Sequence, residues 1–365
     1  METSKVQSFP IRKVRDSNLE LLRILSMLVI IAHHYVVNST VTECWDYGNI
    51  TFNMVFLQLA GFGGKMAINV FVLISAYFMC TQTVTWKRIL KLLCVVWFYA
   101  IIINPILHLA GYQTLSPYTP FHILFGLFTS TGREFVASFL VFYVLVPVLN
   151  QLRKQLSQRQ HLALTFFLVL VFSFFYTFLK ARSACSYVGW YITLYFIASY
   201  IRLYPNKYTN SSMLALGGAV LSLLAIWGYI LAADFFGSRP QNREVYFLCI
   251  DSQKTGALLL SLSLFLLFKN IRMKPRRFIN TLAASAFGVL LIHANSDAMR
   301  TWLWQDFLGV PEHYTSVCLP WHCIASVVGI YLVCAGIDYL RRRYVEKHIM
   351  RLVDRLPFAD RVCLM

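Results

Sequence analysis

The 365-residue sequence has few charged side chains, and the acidic ones are especially scarce, with 16 Asp and Glu against 33 Lys and Arg. Charged residues make up 13% of the chain, whereas a soluble domain carries ~25%. Hydrophobic residues make up 58%, and the mean hydropathy is +0.59. Because no stretch is long and polar enough for a separate soluble core, the composition favours an integral membrane protein.

The sequence also lacks the short motifs of several enzyme classes. Its nine cysteines form no Cys-x-x-Cys pair and no Cys/His metal spacing. It contains no glycine loop of a nucleotide-binding site and no serine-nucleophile motif. We therefore expect no bound metal or cofactor.

What the chain does contain is a succession of apolar runs, most of them long enough to cross a bilayer. The runs are 19–37, 66–81, 92–110, 134–150, 162–178, 188–203, 213–233, 245–268, 278–293 and 317–340. They predict an all-α fold, a polytopic transmembrane helix bundle of about ten helices. Asp251 and Lys254 interrupt the eighth run, so its start is open. The segment 51–61 is too short to span, and we expect it to lie in the interface or to re-enter.

Positive charge alternates along these runs as it does in membrane proteins. With the N-terminus inside, the inner segments hold 24 Lys and Arg, the outer segments hold eight, and Arg23 lies within the first run. Lys65 and Arg300 are among the outer eight. This inside bias predicts cytoplasmic N- and C-termini, and it explains the net charge of +17 without a nucleic-acid partner. Bundles of eight or twelve helices would also satisfy it.

The predicted domain organisation is simple. Residues 1–340 form a single transmembrane domain, and residues 341–365 form a basic cytoplasmic tail with apolar side chains at helical spacing. We expect this tail to lie as an amphipathic helix on the inner leaflet. Segment 1–17 is polar and basic, and no signal-peptide cleavage site of small residues follows the first apolar run. We therefore expect the first helix to be retained.

Ionisable groups are costly inside a membrane, and the first helix carries four of them: Glu20, Arg23, His33 and His34. Arg23 and His34 are eleven residues apart, which returns to nearly the same helix face about 16 Å along the axis. Glu20 precedes Arg23 by one turn and can pair with it. Alternatively, Arg23 snorkels to the inner headgroups while the histidines only meet water outside.

The first helix and four later segments resemble those of one family in the same order. Segment 18–35, NLELLRILSMLVIIAHHY, has the family's Arg, ten residues and then His, at Arg23 and His34. Segment 69–79, NVFVLISAYFM, matches at Asn69, Ser75 and Tyr77, although Ala76 stands where Gly is usual. The basic segment 86–91 and the segments 191–204 and 285–293 follow, the last with the family's Leu-Ile-His. The chain thus resembles the membrane acyltransferase-3 family over nearly its whole length.

This resemblance implies O-acylation across a membrane. Family members transfer an acyl group, usually acetyl, from cytoplasmic acyl-CoA to a carbohydrate or other acceptor on the far side. The implied location is the bacterial inner membrane, and the implied partners are acyl-CoA, an envelope glycan or glycolipid, and the lipid bilayer. Some members carry a C-terminal extracytoplasmic hydrolase-like domain; this sequence shows none, so we expect the membrane domain to act alone or with a separate partner.

Two histidines are the predicted catalytic centre. His34 and His293 end their helices on the same outer side in the charge-derived topology, so their imidazoles can meet near one outward mouth. Neutral imidazole suits the removal of a hydroxyl proton near pH 7. We predict His34 as the base, with His293 orienting the acceptor or stabilising charge. Arg23 is the third catalytic candidate, steadying the donor's phosphates or the inner half of a channel.

The remaining candidates are predicted to bind the substrates. The residues are Glu20, Asn69, Ser75, Tyr77, Lys87, Arg88 and Arg202. Lys87 and Arg88, with Lys91, can hold the phosphates of CoA from inside, or they can be plain positive-inside charge. Arg202 can equally be a membrane anchor.

Two other classes of function stay open. A transporter or flippase of lipid-linked sugars often has inverted repeats or paired broken helices, and we find neither. A non-catalytic scaffold would tolerate alanine at His34 and His293. The sequence also leaves open the acceptor, the acyl chain, the way the acyl group crosses, and whether the chain forms a homo-oligomer.

Overall fold

A computed structural model describes residues 16–114, 121, 134–180, 186–236 and 245–364. Within these ranges the regular structure is helical, except for one isolated antiparallel bridge between Thr85 and Val362. The helices are α1 Ser17–Val37, α2 Phe52–Gly61, α3 Gly64–Met79, α4 Trp86–Leu109, α5 Glu134–Gln155, α6 Gln158–Phe178, α7 Tyr187–Leu203, α8 Ser212–Phe236, α9 Thr255–Asn270, α10 Arg277–Ala283, α11 Ala286–His293, α12 Asp297–Thr301, α13 Leu319–Leu340 and α14 Glu346–Val353.

The predicted all-α transmembrane bundle is confirmed. Each of the ten apolar runs contains a helix, and seven helical stretches of the described chain are long and apolar enough to cross a membrane. These are Ser17–Val37, Phe52–Met79, Trp86–Leu109, Phe135–Gln155, Gln158–Phe178, Ser212–Phe236 and Leu319–Val353. A further pair, Arg277–His293 and Asp297–His313, is bent by 98° and can form an eighth span. A count of ten spans and cytoplasmic termini stay predictions.

Helix α1 lies at the centre of the bundle, in contact with α2, α3, α9, α10, α11 and α13. Its buried residues include Leu22, Met27 and Ile31. At its N-terminal end, which is the inner end in the predicted topology, the Ser17 hydroxyl donates to Asn280 Oδ1 at 2.8 Å, and the Asn18 amide donates to the Phe268 carbonyl at 2.8 Å. These bonds tie the start of α1 to α10 and to α9; inner and outer name the two sides of the bundle by this predicted topology.

The short segment near residue 52 is the outer arm of a broken span. The Thr51 hydroxyl caps α2 by accepting from the Met54 amide at 3.2 Å. The Asn53 amide holds α2 to the outer loop by donating to the carbonyls of Tyr314 and Ser316 at 2.7 and 2.9 Å. The segment was expected to lie in the interface or to re-enter; instead α2 continues across residues 62 and 63 into α3, and the two form one candidate span of 28 residues.

The eighth apolar run is helical only from Thr255 onward, and non-helical turns precede it. The two interrupting charges, Asp251 and Lys254, lie in those turns, and each has a partner. Asp251 accepts from the Tyr176 hydroxyl at 3.0 Å, and the Lys254 ammonium lies 4.6 Å from the centre of the Phe247 ring. These side-chain contacts offset the cost of keeping the two charges within the bundle.

The C-terminal tail packs against the inner end of α4. Helix α13 continues through a π-helical turn, Arg341–Val345, into α14. Beyond α14, the chain pairs with the start of α4: the amides of Trp86 and Lys87 donate to the carbonyls of Arg361 and Ala359, at 3.1 and 2.7 Å. Ion pairs Lys87–Asp354 (2.6 Å) and Lys91–Glu346 (2.5 Å) join the same two parts. The domain division at residue 340 and the contact of the tail with lipid stay predictions.

Candidate functional site

The two predicted histidines are in direct contact at the outer end of α1. His34 Nδ1 lies 3.0 Å from His293 Nε2, and the ring centres are 5.2 Å apart. His293 is fully buried, whereas His34 is half-buried and lines a cavity. α1 supplies His34 and α11 supplies His293 from its last residue, so the pair depends on the packing of these two helices.

The hydrogen bonds of this pair fix which nitrogen carries a proton in the neutral rings. His293 Nδ1 lies 2.6 Å from the carbonyl oxygen of Val289, and a carbonyl can only accept, so this nitrogen is the N–H donor. His293 Nε2 then accepts, and His34 Nδ1 donates to it. The remaining nitrogen, His34 Nε2, keeps its lone pair and can accept a proton. The arrangement is compatible with the predicted roles of His34 as the base and His293 as the group that orients it, and both roles stay predictions.

The cavity beside this pair has a volume of about 290 Å³, near the lower end for ligand pockets. Its polar or ionisable lining residues are His33, His34, Asn38, Lys65, Tyr187, Tyr191, Asn295 and Arg300. His33 Nδ1 donates to the carbonyl of Gly61 at the break between α2 and α3. The base therefore faces a small site whose walls carry both hydrogen-bonding groups and cations.

A second and larger cavity, of about 870 Å³, lies at the opposite end of α1. Its charged lining residues are Asp16, Glu20, Arg23, Arg88, Lys91, Arg202, Asp338, Arg341, Arg342 and Glu346. Six are cations and four are acids, so the lining has a net positive charge. Such a wall favours an anionic ligand of considerable size.

Four of the predicted binding residues and Arg23 line this inner cavity. Glu20 pairs with Arg23 at 3.2 Å, as their spacing predicts. Ser75 lies on the wall formed by α3. Arg88 donates to the Gln82 side chain at 3.0 Å. Arg202 donates to the Tyr77 hydroxyl at 3.0 Å, and its guanidinium lies 4.7 Å from the Tyr77 ring centre.

Three predicted binding residues lie outside both cavity linings. Asn69 is fully buried; its amide donates to the Ser252 carbonyl at 2.7 Å, and its side-chain oxygen accepts from Trp190 Nε1 at 2.8 Å. Tyr77 supports Arg202, and Lys87 pairs with Asp354. In this structure these residues hold neighbouring segments together, and their predicted roles in binding substrate stay untested.

The inner cavity also contains an ion cluster that the sequence analysis did not predict as part of the site. Asp338 is 1% exposed and pairs with Arg341 at 2.9 Å and with Arg342 at 3.1 Å. The Tyr99 hydroxyl donates to the same carboxylate at 2.8 Å. The sequence signal for this cluster is the single acid near the end of the tenth apolar run, followed by three arginines. From the sequence, these arginines are assigned to the tail.

The close approach of α1 to the start of α3 requires glycine at position 64. A Cβ atom there would overlap atoms of the His33 side chain, which lines the outer cavity. We expect Gly64→Ala to displace His33 and to lower the kcat of acyl transfer at least about tenfold, since small misplacements at a reaction centre are costly. Steady-state kinetics measures this, with Gly217→Ala as control because a Cβ there meets open space. Equal activity of the two variants would show that the site tolerates the shift.

Comparison with known proteins identifies the family. The family model for acyltransferase-3, described as an acyltransferase domain, matches residues 16–339. Among curated proteins and among solved structures, no significant match to the chain is found. The matched segment begins just before α1 and ends within the last residues of α13, so it includes both histidines and most of the two cavity walls. The chain therefore belongs to the acyltransferase-3 family of multi-pass membrane acyltransferases.

Proposed function

We propose that the protein is an O-acyltransferase of a bacterial inner membrane, and more specifically an O-acetyltransferase. It takes the acyl group from cytoplasmic acyl-CoA and passes it to a hydroxyl of an extracytoplasmic polysaccharide or glycolipid. The observation that carries this proposal is the pair of cavities at the two ends of α1, one with a base and the other with excess cations. Family membership supports the acyl transfer itself.

The inner cavity suits the donor. Coenzyme A carries a diphosphate and a ribose phosphate, and guanidinium groups bind such oxygens with paired hydrogen bonds. Arg88 and Arg202 are exposed, and their hydrogen-bond partners here are the neutral side chains of Gln82 and Tyr77. Arg23 lies deeper and keeps Glu20 as its counter-ion. Its proposed role is to position the donor at the start of the path toward His34.

The outer cavity suits the transfer step. His34 Nε2 accepts the proton of the acceptor hydroxyl while that oxygen attacks the carbonyl carbon of the thioester. The carbon–sulfur bond breaks, and the leaving CoA thiolate takes up the proton that His34 Nε2 accepted, which returns His34 to its neutral form. The products are the O-acyl ester and free CoA, so atoms and charges balance. His293 holds His34 Nδ1–H throughout, so the imidazolium that forms on His34 keeps its orienting hydrogen bond.

Purified protein in lipid nanodiscs with radiolabelled acetyl-CoA and a mixture of envelope glycans tests the proposal. We expect CoA release that depends on the glycan, together with label in the glycan fraction. Absence of both turnover and acetyl-CoA binding would overturn the proposal. Movement of a lipid-linked sugar without label transfer would indicate a transporter instead.

The donor site gives a more specific prediction. Arg88→Gln removes a cation from the inner cavity, and we expect it to raise the KM for acetyl-CoA about tenfold with little change in kcat. Arg159→Gln is the matched control, because Arg159 is exposed and does not line the cavity. An unchanged KM in Arg88→Gln would show that Arg88 does not bind the phosphates of CoA.

A further inference from the structure

A buried acid and a buried amide join α8 to α2. Asp234, in the last turn of α8, is 4% exposed, and Gln58 of α2 is fully buried. Gln58 Nε2 donates to Asp234 Oδ1 at 3.0 Å. Both residues lie outside the linings of the two cavities, and the proposed reaction does not use them.

This contact leaves one oxygen on each side chain without a hydrogen bond. In the described part of the chain, Asp234 Oδ2 and Gln58 Oε1 are both buried and have no partner. If the carboxyl is ionised, both atoms can only accept, so neither can satisfy the other. Because buried polar atoms nearly always have a hydrogen-bond partner, two unbonded acceptors in one pair indicate that a donor is missing.

A negative charge on Asp234 would also have no counter-ion. None of the ion pairs between described residues includes Asp234. The titratable groups near it include the phenols of Tyr47 and Tyr246, and a phenol carries no positive charge. An isolated ionised carboxylate is very costly in an apolar interior, and such a group takes up a proton instead.

We infer that Asp234 is protonated in the folded protein and that its O–H donates from Oδ2 to Gln58 Oε1. Together with the bond from Gln58 Nε2 to Asp234 Oδ1, this forms a cyclic pair with two hydrogen bonds, in which both unbonded oxygens gain a partner. The protein thus holds a proton in a clasp between α8 and α2. Since the pair takes no part in the proposed reaction, its protonation is independent of the proposed function.

The clasp acts on the part of α2 that borders the outer site. The Tyr246 hydroxyl donates to the backbone carbonyl of Gln58 at 3.1 Å. About one turn further along α2, the Gly61 carbonyl accepts from His33, which lines the outer cavity. A Cβ atom at Gly61 would lie 3.0 Å from the Tyr246 hydroxyl, so the packing here is close. The bonds between Asp234 and Gln58 therefore help to hold α2 where its end contacts His33.

Infrared spectroscopy tests for the proton directly. A protonated carboxyl has a C=O stretching band above the amide I band, where ionised carboxylates do not absorb. The full chain is measured at about pH 7 in a maltoside detergent, because this detergent has no ester carbonyl. We expect the band in the difference between wild type and Asp234→Asn, and ¹³C-labelled aspartate should shift it. Absence of the band from this difference would overturn the inference.

The partner of the proton is tested by Gln58→Met. This variant removes both hydrogen bonds to the acid with little change in side-chain size. We expect the C=O band to move to higher wavenumber, because the carbonyl of the acid then no longer accepts from an N–H group. A band that keeps its position would overturn the bond between Asp234 and Gln58.

Isosteric replacement separates a neutral pair from an ionised one. Asp234→Asn places an N–H group where the O–H of the acid is inferred, so a cyclic pair with Gln58 can still form. We expect its thermal midpoint in detergent to stay within about 1 °C of the wild type. The midpoint of Asp234→Ala should fall by about 3 °C, because alanine leaves the Gln58 amide buried without a partner. Equal midpoints of the two variants, whether high or low, would overturn the inference.

Asp338→Asn is the matched control. Asp338 is as deeply buried as Asp234, but it pairs with Arg341 at 2.9 Å and with Arg342 at 3.1 Å, so its carboxylate is ionised. Asparagine cannot replace that charge, and we expect a clear fall in the thermal midpoint with the infrared band of Asp234 retained. Loss of the band in Asp338→Asn but not in Asp234→Asn would assign the proton to Asp338 and overturn the inference.

Discussion

Replacement of His34 by alanine is expected to lower the kcat of acyl transfer by about a thousandfold. A positioned general base contributes about 10²–10⁴-fold to a rate, and His34 Nε2 is the nitrogen left to accept a proton once Nδ1 is bonded to His293. The KM for acetyl-CoA should change little, since the donor's phosphates are expected at the inner end of α1. Single-turnover kinetics with radiolabelled acetyl-CoA measures the chemical step directly.

His108→Ala is the matched control for this prediction. His108 is an exposed histidine whose Nδ1 lies 2.9 Å from the Gln113 carbonyl, away from both cavities. We expect its kcat to remain within about twofold of the wild type, as for most surface substitutions. Full acyl-transfer activity of a folded His34→Ala variant would show that His34 is not the base.

The second large effect is expected on stability, from Asp338→Ala. This carboxylate is the buried counter-ion of Arg341 and Arg342, whose side chains are 5% and 23% exposed, and it accepts from Tyr99. Removal of one partner from a buried ion pair leaves an uncompensated charge and costs about 3–5 kcal/mol. We expect a large loss of monodisperse protein and a lowered thermal midpoint in detergent.

Asp354→Ala is the comparison for this variant. Asp354 pairs with Lys87 at 2.6 Å, but its side chain is 48% exposed and that of Lys87 is 37% exposed. Pairs of this kind contribute at most about 1 kcal/mol, so we expect a nearly unchanged midpoint. Equal loss of stability in both variants would indicate that docking of the tail, and not burial of the Asp338 charge, controls the fold.

Hydrophobic runs predicted the helices well because length and apolarity are local properties. α1, α8 and α13 lie within a few residues of the predicted limits. The start of α9 at Thr255 was harder to predict, because it depends on contacts of Asp251 and Lys254 with Tyr176 of α6. The continuation of α2 into α3 was missed for a related reason: residues 62 and 63 interrupt the helix, yet the packing of His33 against Gly64 keeps its two arms together.

The contact between His34 and His293 was predictable because both residues end helices on the same predicted side. Which histidine donates to the other was not predictable, since it depends on the Val289 carbonyl that accepts a hydrogen bond from His293 Nδ1–H. The positions of Asn69 and Tyr77 illustrate the same limit. A family motif marks both residues, but only tertiary packing places the Trp190 side chain and the Ser252 carbonyl against Asn69, and Arg202 against Tyr77.

The cations of the outer cavity were counted in the sequence only as outer charge. Lys65 was assigned to an outer segment, and Arg300 to the region after the ninth run. Their convergence on one cavity depends on the break before α3 and on the 98° bend between α11 and α12. Gly63 and Gly64 beside Lys65 are a usable sequence signal for the break, whereas the 98° bend has no comparable signal.

The pairing of the chain's end with α4 has a practical consequence for how the protein can be labelled. The amide of Cys363 donates to the Val84 carbonyl at 3.1 Å, immediately before the first turn of α4. A fluorescent protein fused at the C-terminus would be tethered next to this bond, at the start of the helix whose Lys91 pairs with Glu346 in the inner cavity wall. Activity measured with such a fusion should therefore be compared with that of the untagged protein, since a displaced C-terminal segment would disturb the proposed donor site.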